Sequence, residues 1–283
     1  MSYFQNKDLD RAQSCIDLAV KKGASAASII MQYKNSYSCA FSAGRLKQTA
    51  NSETLAYNLD LVADGRRSSV SGNVIEELDE MLERALQLAK IGAPAYFSEY
   101  PVPGKYKKVK TYSESIKSLT RERLIDDCSE LVEHLKTVEA GMDIEAAGSR
   151  SEQEALFVNS AGLSQIFQGS NWSLNGGFTR LDGEDMLFGW RSRYWREVNE
   201  LYDISYLKNK LSEDFENGSR IANLQQGAYP VLLAPSVSGQ FIAPLISALN
   251  GRNVFKGISP LKDKLGQTVF DSSLSIYDRP HID

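Results

Sequence analysis

In "DLDRAQSCIDLAVKKGA", Ala12, Cys15, Ile16 and Ala19 recur at helical spacing, and Lys21-Lys22-Gly23 supplies a basic last turn and a glycine stop. Four strand-like runs follow: "ASIIMQY", "SYSCAFSAG", "TLAYNLDLVADG" and "SSVSGN". Asp64-Gly65 between the last two is a hairpin signal. "VIEELDEMLERALQLAKIGA" returns to helical period, with Ile75, Leu78, Leu82, Ala85, Leu86 and Ala89 on one face. The pattern predicts a helix–hairpins–helix unit that closes near residue 92, within an N-terminal domain of residues 1–95.

The stretch "APAYFSEYPVPGKYKKVK" holds three of the eight prolines and a cluster of lysines, which marks residues 96–110 as a linker. A middle domain of residues 111–226 is expected next. Its helix over 119–136 carries Leu124, Ile125, Cys128, Leu131, Val132 and Leu135 as an apolar stripe that packs on a sheet. From about 142 to 200 the pattern reads as strands broken by "SRSE", "NSAG", "NGG" and "DGED". "ISYLKNKLSEDFENGSRIANLQQG" reads as a helix that breaks at Gly227, and Pro230 opens a new unit. The fold class is therefore α+β: an N-terminal helix–hairpins–helix domain, a mixed β middle domain with packed helices, and residues 227–283 as the start of a β-rich C-terminal domain.

Composition narrows the function. The chain has 283 residues, 42% hydrophobic and 24% charged, with no apolar run long enough for a membrane span and no basic-then-apolar leader. Cys15, Cys39 and Cys128 are scattered in no metal-ligand spacing, which suits buried thiols in a reducing cytoplasm. A net charge of −4 argues against a dedicated nucleic-acid binder. The two histidines, His134 and His281, leave few candidates for a zinc site or a Ser/His/Asp set.

Several groups invite a chemical reading. Glu130 and His134, with Asp127 a turn earlier, have the spacing of an acid/base pair, but a solvated helix face with an i,i+4 contact explains them as well. "FGWRSRYWRE" interleaves aromatic residues with arginines. Trp190, Arg191, Arg193 and Tyr194 are candidate contacts for a peptide or channel, although a half-buried strand with aromatics on one face and arginines on the other accounts for them. "LDGED" supplies too few ligands for a Ca²⁺ or Mg²⁺ loop and reads as a hairpin turn. The Lys105–Lys110 run is a charged linker, and neither Ser160 nor Ser236 sits in a nucleophile-elbow frame.

"YPVLLAPSVSGQFIAPLISALNGRNVFKG" has the form of an active-site entrance: a short strand Val231–Leu233, a turn, and a helix with Pro235 in its first turn and a stop at Asn250-Gly251. That helix contains no His, Cys, Asp or Glu. Val237, Phe241, Leu245 and Leu249, with Ile242 and Ile246 alongside, make it apolar on most sides, so it is expected in a core or against a partner, bent at Pro244.

The block "GAYPVLLAPSVSGQFIAPLISALNGRNVFKGISPLKDKLGQTVFDSSLSIYDRPHID" resembles the start of the C-terminal domain of the TldD/PmbA family, the modulators of DNA gyrase. "EQEALFVNSAGLSQIFQGSNWSLNGG" resembles that family's middle region, and "FSAGRLKQTANSETLAYNLDLVADGRRSSVSGN" its N-terminal hairpins. In the family, TldD-type chains carry an H-E-x-x-x-H zinc helix for peptide hydrolysis. TldE/PmbA-type chains lack it and pair with TldD around the proteolytic chamber. Here the metal-motif positions fall on Ile242, Ala243 and Ser247, and neither His134 nor His281 can supply the missing pair. Asp60 and Ser68 stand where the family favours arginine and glycine, and the chain stops at "IYDRPHID" where family members continue, so either a truncated product or an incomplete domain is expected, whose half-built sheet needs a partner or self-association.

The resemblance thus implies a cytoplasmic, TldE/PmbA-like, non-catalytic subunit of a zinc metalloprotease that degrades or trims peptides. It implies no catalytic or metal-ligating residue and no cofactor in this chain, with zinc in a TldD-type partner. Phe241, Leu245 and Leu249 become partner-facing or core residues, in a heterodimer with the TldD-type chain or in a homodimer. The other function class is a non-enzymatic regulatory or binding module, of gyrase-modulator type or a peptide-binding scaffold.

Overall fold

The computed structural model describes residues 3–199, 202–277 and 279; His281 lies outside the described residues. The chain divides into two compact units, residues 1–221 and 222–283. The first is built on one antiparallel six-stranded sheet in the order β3-β2-β1-β4-β5-β6. After helix α1 (Asn6–Lys21) come β1 (Ala24–Ser42), β2 (Arg45–Ala63), β3 (Arg66–Gly72) and α2 (Leu78–Ala89). Then follow α3 (Arg121–Val138), β4 (Asp143–Asn159), β5 (Ser164–Asp182), β6 (Asp185–Trp195) and α4 (Ser205–Gly218).

Tight turns set the hairpins. Asp64 and Gly65 have φ of 51° and 68°, and Ala43 and Gly44 have φ of 50° and 66°, the left-handed pairs that let two-residue loops follow strand twist. The runs "ASIIMQY" and "SYSCAFSAG", read as separate strands, are one 19-residue strand, β1. "SRSE" and "NGG" lie inside β4 and β5 and break nothing. In β5 a glycine is what the packing needs: a Cβ on Gly176 would stand 2.5 Å from Leu131 Cδ2. "NSAG" and "DGED" are turns, and in the first Asn159 Oδ1 accepts the N–H groups of Ala161 and Leu163.

All four helices cover one face of the sheet. β1 and β4 pair from Ser28–Asn159 to Phe41–Ala146, so strands from both sides of the 96–110 stretch share one sheet. The apolar interior divides into two clusters along these strands. Ala27, Ile29 and Met31 of β1, with Leu156 and Val158 of β4, pack with α1 and α2. Cys39 and Phe41 of β1, with Ile144 and Ala146 of β4, pack with α3 and α4. The expected faces hold: Ala12, Cys15, Ile16 and Ala19 are buried in α1, and Leu124, Cys128, Leu131, Val132 and Leu135 in α3. Between the clusters the covered face turns polar, with the Arg150–Glu152 ion pair and Tyr33 donating to Glu53.

Helix α4 ends at Gly218, not at Gly227. A Cβ at Gly218 would stand 2.6 Å from Leu187 Cδ1, and beyond it Ile221 and Leu224 are exposed, with no apolar contact to extend the helix. In the second unit, α5 (Pro235–Leu249) begins with Pro235 and includes Pro244, as the pattern predicts, and α6 (Gly251–Phe255) follows it. Val231–Leu233 forms no strand, because no segment among the described residues pairs with it.

Two stability outcomes follow from this packing. Gly148→Ala places a Cβ 2.3 Å from Leu124 Cδ1 and should cost about 1–3 kcal/mol in denaturant unfolding, whereas Gly104→Ala, with nothing within 4 Å, should cost little. Burial raises the Cys15 thiol from 9.0 to about 11 and the Tyr57 phenol from 10.0 to about 12. A raised folded-state pKa stabilises below the unfolded value and is lost as pH climbs through the folded one. Stability should therefore fall from about pH 9 upward, and Cys15→Ala should flatten the decline between pH 9 and 11, read by urea midpoints at each pH.

Candidate functional site on the open face of the sheet

The face of the sheet opposite the helices is lined by small and polar side chains in its centre: Ser36 and Ser38 on β1, Ser149 and Ser151 on β4, Ser173 and Asn175 on β5. Ser149 and Ser173 hydroxyls bond across the strands at 2.7 Å. Toward β6 the same face becomes aromatic. Met186, Phe188, Trp190 and Tyr194 alternate along β6 on this side, with Trp190 50% and Tyr194 68% exposed. β6 is also an edge strand, with no further strand beside it among the described residues.

Two glycines shape this edge. Gly177 pairs with Trp190, and a Cβ on Gly177 would stand 2.2 Å from Trp190 Cε3, so the indole lies across the position a side chain would fill. On the next rung and the opposite face, Phe178 lies across Gly189 in the same way, 2.6 Å from the Cβ position. Trp190 Nε1 donates to Ser192 Oγ at 3.2 Å, which fixes the ring orientation. One rung carries Glu145, Gly177 and Trp190; its neighbour carries Asp143, Thr179 and Phe188. Together they border a cleft of about 380 Å³.

The arginines of this strand point the other way. Arg191 Nε and Nη2 donate to Asp214 Oδ2 and Oδ1 on α4 at 2.5 and 2.6 Å, and this pairing raises the guanidinium above its ordinary pKa. The Arg193 guanidinium lies 4.3 Å from the Tyr206 ring centre, also on α4. The candidate set Trp190, Arg191, Arg193 and Tyr194 is therefore divided between faces: the aromatics line the open side, and the arginines fasten α4 to the sheet. Asp143, Glu145 and Gly177 were not singled out from the sequence. The D-x-E pair at the start of β4 was the available signal, but its position opposite Trp190 depends on the register of two hairpins.

The α3 candidates are ties between helices, not a solvated face. Glu130 pairs with Lys208 at 2.9 Å, and His134 Nε2 meets Ser212 Oγ at 2.9 Å, both across to α4. Asp127 is buried at 3% exposure, accepting from Arg123 Nε at 2.8 Å and from the Tyr202 hydroxyl. Burial first, then the Asp127 bond, holds the Tyr202 phenol well above its ordinary range. Asp182 and Asp185 close the β5–β6 turn, and no group of three or more metal-binding side chains occurs among the described residues. Ser160 Oγ accepts the Ala27 N–H at 3.1 Å within its turn; the side chain of Ser236 lies outside those described.

Helix α5 places Ile242 half-buried and Ala243 and Ser247 exposed. Ser247 O accepts from Asn253 Nδ2 at 2.8 Å. A hydrocarbon, a methyl group and a single hydroxyl do not form a donor set for zinc, and no other residue of α5 is His, Cys, Asp or Glu. The helix is not buried within this chain: Phe241 and Leu249 are exposed, Leu245 is half-buried, and Ala248 is its buried hydrophobic residue.

Residues 226–283 match the family model "PmbA/TldA metallopeptidase C-terminal domain". No curated protein matches the chain. Among solved structures, the fold matches a candidate modulator of a DNA gyrase from Thermotoga maritima at TM-score 0.77 and 19% identity, covering 91% of this chain and 59% of that one. It matches a candidate modulator of DNA gyrase from Bacteroides thetaiotaomicron at TM-score 0.79 and 22% identity, covering 94% and 62%. TldE from Thermococcus kodakarensis matches at TM-score 0.74 and 16% identity, covering 90% and 58%. The chain thus spans about three-fifths of the length of these structures. The fold is the one shared by this group of α+β proteins. The family match is confined to residues 226–283, and the solved structures share the fold over most of the chain, both in line with the resemblance read from the sequence.

The two faces of β6 should respond differently to mutation. Asp214→Ala should lower stability by about 1 kcal/mol, because it strands the Arg191 guanidinium. Trp190→Ala, on the open face, gives up the half of the indole packed over Gly177 and should cost about 1–2 kcal/mol with no dependence on salt by the same denaturant titration.

Proposed function

We propose that this chain is a TldE/PmbA-like, non-catalytic subunit of a TldD/TldE-type zinc metalloprotease acting on peptides. The observation that carries the reading is α5. It lies within the segment matched to the metallopeptidase C-terminal domain, yet has Ile242, Ala243 and Ser247 at the positions where the resemblance places ligands and base. Chemistry at zinc is then the task of a TldD-type partner, and this chain contributes wall and binding surface in the cytoplasm. No helix among the described residues is long and apolar enough to cross a membrane.

The sheet supports the binding role. β6 offers an open edge of 11 residues to which an extended peptide can add as a further strand, beside an aromatic row that can hold alternate side chains. Phe241 and Leu249 on α5 offer apolar surface to a partner chain, either a TldD-type subunit or a second copy. Two structural neighbours are described as candidate modulators of DNA gyrase, which favours another reading, a regulatory module of gyrase-modulator type without proteolysis.

Metal analysis and a peptidase assay on the isolated chain test the proposal. The expected outcome is zinc well below one equivalent and no hydrolysis, with activity gained on adding a TldD-type chain that it also captures in a pull-down. Stoichiometric zinc or robust activity alone would overturn it. Salt-sensitive binding to gyrase or DNA, with no TldD-type chain captured, would favour the regulatory module.

A further inference from the structure

We propose that the cleft at Trp190, Glu145 and Asp143 is a subsite for an arginine side chain of an extended peptide bound along β6. The inference deepens the function proposed above and rests on its peptide-binding part. Its starting point is the collapse of Trp190 over Gly177, which turns the indole into a shelf, half exposed and held by Ser192. A shelf of this kind presents a π-face to an incoming ligand, and a planar guanidinium is the side-chain group best suited to stack on it.

The charge at the cleft selects the same group. Glu145 is on the rung of Trp190, and Asp143 is on the next. Among the described residues neither carboxylate has a side-chain hydrogen bond or ion pair, unlike Asp127 and Asp214, which are both taken up by arginines. The arginines of β6 cannot neutralise the pair, because Arg191 and Arg193 are committed to α4 on the opposite face. The β5–β6 turn adds Asp182, Glu184 and Asp185 at the same end of the sheet. The cleft thus joins an aromatic platform to unpaired negative charge with no cation of its own.

Reach fits arginine better than lysine. A peptide strand added to β6 lies three strand spacings from β4, roughly 14 Å at about 4.8 Å each. An extended arginine crossing Trp190 spans about half of that distance, and the extended Glu145 side chain with the hydrogen bond between them covers the rest. The carboxylate can then accept two parallel N–H bonds from the guanidinium. The aliphatic stem of the arginine would rest against Met186 and Phe188 at the rim.

The test is a fluorescence-anisotropy titration of the full chain. The probes are a fluorescein-labelled heptapeptide of alternating threonine and valine with one central arginine, and the same peptide with citrulline, which keeps the shape and removes the charge. The arginine peptide should bind about tenfold more tightly at low salt, with the preference shrinking as salt rises. D143N/E145Q should reduce the preference below twofold, and Trp190→Ala should reduce it with both carboxylates in place. Circular dichroism checks that each variant is folded, and Glu145→Gln alone serves if the double variant is not. Equal binding of the two peptides, a preference that survives D143N/E145Q, or no binding of either would overturn the subsite. Because the titration uses this chain alone, loss of preference with capture of a TldD-type chain refutes the subsite and leaves the assembly standing. Arginine preference without such capture does the reverse.

Discussion

The long pairing of β1 with β4 is the constraint on which the remaining structure depends. Side chains alternate with period two along a strand, so one phase must serve both apolar clusters over the whole paired length. Ile29 and Met31 near one end of β1 and Cys39 and Phe41 near the other satisfy it, opposite Val158, Leu156, Gly148 and Ala146 of β4. A one-residue slip would carry both clusters to the open face together. With the helices committed to one side, the other is left to whatever the even positions of β1 and their partners carry, and apart from the Ile30–Phe157 pair the chain places mostly small and polar residues there.

The edge strand β6 shows the same alternation put to a different use. Its packed phase carries Leu187, Arg191, Arg193 and Trp195, and its open phase Met186, Phe188, Trp190 and Tyr194. Hydrophobic burial alone would favour the opposite phase, since an indole gains more from leaving water than a guanidinium does. Helix α4 decides the matter by presenting Asp214 and Tyr206, a bidentate partner and a ring face, where the arginines arrive. The aromatic row is the consequence. A contiguous apolar patch is uncommon on an unpartnered surface, and here it runs along an edge whose backbone groups are also open.

What could be read from the sequence follows from how local each signal is. The buried faces of α1 and α3, the Asp64-Gly65 hairpin and the Pro235 start of α5 depend on neighbours within a few residues, and they are legible. The split of β6 into an aromatic and an arginine face is legible for the same reason. Which face meets the helices is not, because that depends on Asp214, some twenty residues on. The "NGG" stretch misleads in a related way: its glycines mark close approach of Leu131 and Trp190 from other elements, not a turn. Glu130 and His134 read as solvated because their partners, Lys208 and Ser212, belong to another helix.

The proposed function joins two features that are physically independent. α5 lies in the segment matched to a metallopeptidase domain yet has no donor set, while the sheet has an open aromatic edge and no group of three or more metal-binding side chains among the described residues. Either feature alone has a plainer explanation, a decayed enzyme or an ordinary exposed edge. Taken together they fit a division of labour in which one chain supplies the reacting centre and another the surface that holds an extended substrate. Such a subunit has no need to keep ligands at Ile242, Ala243 and Ser247, because the chemistry is done elsewhere. It does need its edge strand free and the aromatic side of its open face uncovered, and those are the features that the phase of β1 and the choice made by α4 preserve.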